Sequence, residues 1–507
     1  NIIENYKLRD LNNFWPPTES RWFGYLTFAL NYHFGGLNII GYHVVNLIIH
    51  IFNAILVYLF VMLTFKTPFF SSQQSAVSNQ KKQTLLHPFT YFPLFIALLF
   101  VAHPIQTQAV TYIVQRFTSL ATMFYLLSLV MYIKARLEVK TKVKFFSAST
   151  LIFYFLSIAS AILAMKTKEI AFTLPVIIVL YEFMFFGNNQ FVIPVKTGIQ
   201  DKNEMDSCFR RNDRMEGGYK RLLYLIPFLL TLLIIPLSLI GIDKPIGDAI
   251  GELRKAAQET EGIPRWSYLF TQFRVVVTYV RLLFLPINQN LDYDYPLYHS
   301  FFEPNVFLSF VFLLIIFALG IYLLYYKRYT IYATRLTAFG ISWFFITLSV
   351  ESSIIPIRDV INEHRLYLPV IGIIIGFVSA VFYILQAMIQ NPKRSFATCY
   401  LLLAAIVVVL SIAAYQRNAV WQDEISLWED VVRKSPQKAR GHYNLGIAYK
   451  DKGLTDKAIE HYQIALRINP NYAEAYNNLG LSYYNKGLTD MAIAEYQIAL
   501  RINPNYA

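Results

Sequence analysis

Four groups of polar side chains lie beside long apolar runs, a setting in which ionisable residues are costly and therefore functional suspects. Glu19-Ser20-Arg21 precede Asn31, Tyr32, His33, His43, Asn46 and His50, and the last three, spaced by three and four, share one helix face. The stretch AHPIQTQAVTYIVQR (102–116) puts His103 in a turn and Gln108 and Arg116 on the helix after it. Lys166-Thr167-Lys168-Glu169 form the third group. Arg358-Asp359 and Glu363-His364-Arg365 form the fourth, with Asp292 and Asp294 (NLDYDYP) in another loop. A carboxylate can deprotonate an attacking hydroxyl, and cations can stabilise a departing phosphate. That pairing is what glycosyl transfer from a phosphate-linked donor requires. Each group also has a plainer reading: a polar stripe packed between helices, an arginine snorkelling to the interface, a solvated turn. No single group is specific.

The elements that must position these residues are membrane helices. The chain of 507 residues is 55% hydrophobic and only 15% charged, against ~25% charged in soluble domains. Ten segments approach the ~20 apolar residues of a spanning helix: 38–62, 91–103, 107–133, 147–165, 170–186, 221–241, 304–326, 333–350, 367–388 and 397–415. Pro93 and His103-Pro104 suggest that the short 91–103 segment shares a tight turn with the next. The net charge of +13 resides mostly in short loops, where it sets topology and gives no reason to invoke nucleic acid. Lys66, Lys134, Arg136, Lys140, Lys196, Lys327 and Arg335 fall on one side if the segments alternate, which makes that side cytoplasmic. Residues 265–285 carry Arg265, Arg274 and Arg281 and are expected as an interfacial helix. All four polar groups are then expected at the outer face. Residues 191–219 are read as a polar insertion in a cytoplasmic loop, worded like the product of an interspersed bacterial repeat element; a bacterial inner membrane follows as the expected location. Two cysteines without CxxC spacing argue against a disulfide framework, and no metal cluster is expected.

After Tyr415 the pattern changes. Gly446/Gly480, Gly453/Gly487, Ala465/Ala499 and Pro470/Pro504 recur at a spacing of 34. Leu445, Gly446, Tyr449, Ala458, Ala465 and Pro470 fit the TPR pattern, as do Leu479, Gly480, Tyr483, Ala492, Ala499 and Pro504. The fold class expected is therefore all-α: a polytopic membrane bundle over 1–415, a linker and half-unit over 416–438, and TPR units over 439–472 and 473–506. The TPR side is expected to be periplasmic or exterior. Two and a half units fall short of the three or more that stabilise a solenoid, so further repeats are expected after Ala507.

The order NYHFGGLNIIGYHVVNLIIH, AHPIQTQAVTYIVQR, KTKEIAFTLPVIIVLYEF, NEHRLYLPVIGI, then TPR units resembles the transmembrane-and-TPR (TMTC) family, grouped with the protein O-mannosyltransferases. The resemblance implies a GT-C-type membrane fold and transfer of a sugar from a polyprenyl phosphate in the membrane to a protein hydroxyl on the outer side, with the TPR array holding the acceptor. The family's acidic pair is expected ahead of Asn1, together with one more helix; this places the general base outside the sequence and leaves Glu169 and Glu363 as candidates within it. Arg365, Arg116 and Lys168 are the candidate donor-phosphate ligands, and His43, His50, His103, Asp292, Asp294 and His364 the candidate cavity residues. Beyond the lipid-linked donor no cofactor is implied, and a divalent metal stays open. Two rivals remain: a non-catalytic membrane-anchored TPR scaffold, and a transporter, which would need charge pairs at mid-membrane.

Overall fold

The computed structural model describes residues 6–15, 21–71, 91–141, 147–187, 224–240, 263–325 and 331–505. Glu19, Ser20 and the 191–219 stretch lie outside them. The described residues form helices and no strand. Among them seven helices are long and apolar enough to cross a membrane, or eight if the bent pair Phe92–Ala102 and Pro104–Thr111 counts as one span. The chain is a multi-pass membrane protein. Among the described residues of the expected segment 221–241, the apolar helix Tyr224–Leu237 is shorter than a span, at ~1.5 Å per residue against a ~30 Å hydrocarbon core.

One expected helix is broken. Residues 107–133 read as continuous, yet Thr107–Thr111 ends at Tyr112, whose ψ of 107° is extended, and the long helix Arg116–Thr141 begins after a single 3-10 turn. With the 52° bend at His103, residues 103–115 form a bent and broken segment, here termed the re-entrant segment, folded into one end of the bundle. Two hydrogen bonds pin it from the far side of the chain: Gln289 Nε2 donates to the Pro104 carbonyl at 3.2 Å, and the His364 amide donates to Gln108 Oε1 at 2.8 Å.

Helices Ile331–Leu348 and Val370–Met388 cross where Gly340 faces Gly372, and a Cβ on either residue would collide with the other's carbonyl. Small residues let membrane helices approach this closely. Toward the other end of the bundle, Arg136 is bonded by Glu182 and packs over Phe186, while Arg335 packs over Phe69. The basic residues Arg136 and Arg335 thus lie opposite the re-entrant segment.

The chain leaves the bundle through Pro392–Ala419. Helix Glu424–Lys434 then packs against Ala439–Asp451, which pairs with Thr455–Ile468; Ala473–Asn485 and Thr489–Ile502 repeat the hairpin. Gly446 and Gly480 lie against the rings of Tyr462 and Tyr496, so a Cβ would clash there. Gly453 and Gly487 turn the hairpins at φ of 74° and 76°, a conformation glycine adopts without steric cost. Leu445, Tyr449, Ala458, Leu479, Tyr483 and Ala492 are buried between the helices, as are Ala465 and Ala499. Pro470 and Pro504 follow the helices that end at Ile468 and Ile502.

The hairpins are fastened to the bundle. Arg440, in the first turn of Ala439–Asp451, grips Asp292 with Nε and Nη2, each at 2.6 Å, and Asp359 at 2.7 Å. Ser435 Oγ accepts from Asn290 Nδ2 and from the Asp294 amide, both at 2.9 Å, and Lys434 Nζ donates to the Gln289 carbonyl at 2.7 Å. Such a set of charge-assisted bonds in a partly desolvated seam fixes orientation as well as adding energy.

Candidate functional site

On one side of the re-entrant segment a cavity of about 410 Å³ gathers residues from five separate stretches of chain. Arg21 comes from the start of the first described long helix, Gln115 and Phe117 from the reentrant segment and the helix after it, and Lys168 and Glu169 from the turn after Met165. Glu351 follows Leu348, and Asn362, His364 and Arg365 precede the helix at Val370. Three of the four polar groups singled out in the sequence therefore meet here, as a consequence of the helices on which they end.

Arg21 holds Glu169 through two parallel bonds of 3.0 Å. Lys168 Nζ lies 2.8 Å from Glu351 Oε1 and 2.9 Å from Thr118 Oγ1. Arg365 is buried, with Nη1 on the Val360 carbonyl at 3.0 Å and Nη2 on the Asp359 carbonyl at 2.6 Å. Burial works against its charge, yet Tyr279, Tyr268 and Glu351 hold its pKa above the usual arginine value. Among the described residues three cations thus face two carboxylates in the lining. Burial, then Lys168, Arg365 and Arg21, push His364 well below its ordinary pKa, so its ring is neutral. His364 Nδ1 is buried with no hydrogen-bond partner. A partly enclosed space whose described lining carries three cations, with an unpartnered ring nitrogen beside them, suits an anionic ligand that also brings a polar hydrogen.

The other candidates are placed differently. Glu363 is completely buried outside this cavity, accepting from Gln289 Nε2 at 2.9 Å and from the Asn290 amide and Tyr293 hydroxyl at 2.6 Å each. Burial holds its carboxyl above the ordinary range. Its oxygens are committed to ordering the 289–293 loop, so Glu363 is corrected from candidate base to structural anchor. Arg116 is likewise removed from the phosphate ligands. It is fully buried, bonded to Asn46 Oδ1 at 2.7 Å, Asn31 Oδ1 at 2.9 Å, and the Tyr42 and Thr27 carbonyls at 3.0 and 3.2 Å, with Phe28 beneath its guanidinium. Neutral acceptors occupy its donors, and its work is to clamp three segments together. Asp292 holds Arg440, and exposed Asp294 offers its amide to Ser435; both belong to the seam between bundle and hairpins. His43, His50 and His103 line a different space, on the other side of the re-entrant segment.

Glu351 was missed. Its signal was available: SVESS places a lone acidic residue directly after an apolar helix, at the end where Lys168 and Arg365 also emerge. Arg21, noted with the first group and left out of the phosphate ligands, belongs to the lining.

The cavity and the hairpins share one end of the molecule. Asp359 connects them, since its carbonyl accepts from Arg365 while its carboxylate accepts from Arg440.

Comparison with known proteins agrees with this architecture. Family models for the TPR repeat and the tetratricopeptide repeat match residues 448–487 and 473–506. The chain is 25% identical over 453 residues to Protein O-mannosyl-transferase Tmtc3 of Drosophila melanogaster, covering 86% of this chain and 47% of that protein. Identity to Protein O-mannosyl-transferase TMTC4 of Mus musculus is 25% over 86% of this chain and 56% of that one. For TMTC1 of Homo sapiens it is 26%, over 86% and 46%. The chain spans about half the length of the curated relatives it matches. A membrane bundle ending in tetratricopeptide hairpins, aligned along most of its length with these proteins, makes the chain a homologue of the TMTC protein O-mannosyl-transferases.

Proposed function

We propose that this chain is the membrane portion of a GT-C-type O-glycosyltransferase that moves a monosaccharide from a polyprenyl phosphate to a protein hydroxyl at the exoplasmic face. The observation that carries this reading is the cavity with three cations against two carboxylates, set at the same end of the bundle as the hairpins. In the transfer the bond between the anomeric carbon and the phosphate oxygen breaks, and the phosphate departs with the electron pair. Arg365 and Lys168 stabilise that developing charge from positions already fixed by their own partners, so little reorganisation is needed. The acceptor oxygen attacks the anomeric carbon and its proton must leave. The two cavity carboxylates are held by cations, whereas His364 presents an unpartnered ring nitrogen. Burial and the neighbouring cations disfavour protonation of that ring, so the proton passes to water. The hairpins bind the acceptor polypeptide, and the seam at Arg440 sets its approach.

A second reading, a non-catalytic TPR scaffold, is favoured by one observation: Glu169 and Glu351 are both ion-paired, which lowers their value as bases. The test that separates the two uses the full chain in nanodiscs with labelled mannosyl polyprenyl phosphate and a serine- and threonine-rich peptide. Transfer that drops at least ~30-fold in Lys168→Met, the loss of about two kcal/mol of charge-assisted binding, supports the enzyme. Stoichiometric peptide binding without turnover of any polyprenyl-linked sugar supports the scaffold and defeats the transferase.

A further inference from the structure

The space lined by His43, His50 and His103 is a second site of different chemistry. It measures about 480 Å³ and lies between helix Ile39–Thr64, the re-entrant segment and the end of Pro392–Ala419. Among the described residues no lysine, arginine, aspartate or glutamate lines it. His103 is spent on structure: Nδ1 accepts from the Ile105 amide at 3.2 Å, so Nε2 carries the proton and donates to the Leu283 carbonyl at 3.0 Å. His50 Nδ1 is bonded to the Tyr367 hydroxyl at 2.7 Å. What remains is Gln106, 2% exposed, with neither its amide oxygen nor its amide nitrogen paired. A buried amide with both atoms unpaired is uncommon in native structures and costs free energy until something binds it. Close by, Thr107, Thr111 and Asn418 offer further hydroxyl and amide groups. The rim is apolar and open, with Ile40 70%, Val44 48% and Leu47 51% exposed on a helix long and apolar enough to span the membrane.

We propose that this groove binds a membrane lipid with a neutral, hydroxyl-bearing headgroup. Gln106 both donates to and accepts from headgroup hydroxyls, as an amide does best with vicinal hydroxyls. The acyl chains lie along Ile40, Val44 and Leu47, which no other described residue covers. The absence of any charged lining residue among the described residues disfavours a phosphate, because a buried anion without a cation pays its full desolvation. This site is independent of the charged cavity and of the reaction proposed there. The re-entrant segment separates the two: Val110 and Thr111 face the groove, and Val114 and Gln115 face the cavity. A lipid seated in the groove would brace that wall.

The test is native mass spectrometry of the full chain from nanodiscs of phosphatidylcholine doped with monoglucosyl diacylglycerol, diacylglycerol or phosphatidylglycerol. The glucosyl lipid should be retained about tenfold over both others. Gln106→Leu should remove that preference. This substitution takes away a buried unsatisfied amide, so the fold should be as stable as before or more so, and a loss of binding then reports the site. Equal retention of the three lipids, preferential retention of phosphatidylglycerol, or an unchanged preference in Gln106→Leu would overturn the proposal. So would cross-linking of an added peptide, in place of lipid, to a photoreactive residue at position 44. Lys168→Met, which discharges the other cavity, should leave the lipid preference intact; this distinguishes failure here from failure of the transferase reading.

Discussion

The two spaces on either side of residues 103–115 have similar volumes and opposite chemistry. One is lined by Arg21, Lys168, Arg365, Glu169 and Glu351, the other by three histidines, amides and hydroxyls. The difference arises from what ends where. The charged residues sit at helix ends and turns, where the chain can give each cation a fixed partner before any ligand arrives. The neutral groove is built along the face of a spanning helix, where His43, Asn46 and His50 recur at helical spacing and no charge is tolerated. Two sites of one size can thus be told apart by charge alone. The wall between them must be rigid for the distinction to last.

The largest effect is expected from the clamp that holds this wall. Arg116→Met would strip hydrogen bonds from Asn46, Asn31 and the Thr27 and Tyr42 carbonyls in a fully buried site. Removing one member of such a network costs about 3–5 kcal/mol. Thermal unfolding in detergent should show it as a fall in Tm, with both spaces lost together. If Arg116→Met folds normally and loses only donor binding, Arg116 is a ligand after all, and the two-sided comparison must be redrawn.

Next comes the seam. Arg440→Ala would leave Asp292 buried without its bidentate partner, at about 2–3 kcal/mol. Hydrogen exchange in Glu424–Lys434 and Ala439–Asp451 should speed up while exchange in the spanning helices stays unchanged. Under the proposed function, transfer to a peptide should fall, and binding of the lipid donor should not. This sharpens the comparison by showing that the charged side acts with the hairpins and the neutral side acts without them. Equal exchange in wild type and variant would mean that the hairpins are oriented by apolar packing alone.

Much of this arrangement was legible in the residues. Arg21, Lys168, Glu169, His364 and Arg365 were each at the end of an apolar run, and runs of bilayer length bring their ends to common planes. The repeat at a spacing of 34 was legible for a simpler reason, because each hairpin contacts mainly its neighbours. What could not be read was the partner of each charge. Arg116 and Arg365 look alike as arginines near helix starts, yet Arg116 is consumed by Asn31 and Asn46, residues 85 and 70 positions away. Glu363 and Glu169 look alike as acids after a turn, yet only Glu363 meets three donors from the 289–293 loop. The break at Tyr112 carries no proline or glycine to announce it. There the helix yields to tertiary bonds at Pro104 and Gln108, which periodicity cannot register. Without that break, the two sides of the wall read as one cavity.

The smallest effect concerns pH at the seam, where two carboxyls are shifted in opposite directions. Burial works against the charge of Asp430, but Lys434 and Arg417 outweigh it and hold the carboxyl below the ordinary aspartate value of ~3.9. A depressed folded pKa gives stability that is complete above the unfolded value and is lost as pH falls through the folded one. Glu363 has the opposite sign. Its folded pKa is raised by burial, so its contribution is complete below the unfolded value and declines as pH rises through the folded one. The seam should therefore be tightest in mild acid, loosening on the acid side through Asp430 and on the other through Glu363. Exchange rates in Glu424–Lys434 followed from pH 3 to 8, corrected for intrinsic chemistry, should pass through a minimum. Asp430→Asn should flatten the acid limb only. A profile that rises or falls steadily across the range would assign seam stability to groups other than these two, whereas a minimum that disappears entirely in Asp430→Asn would show that Glu363 is silent and the neutral interior of the loop, not its charge, holds it in place.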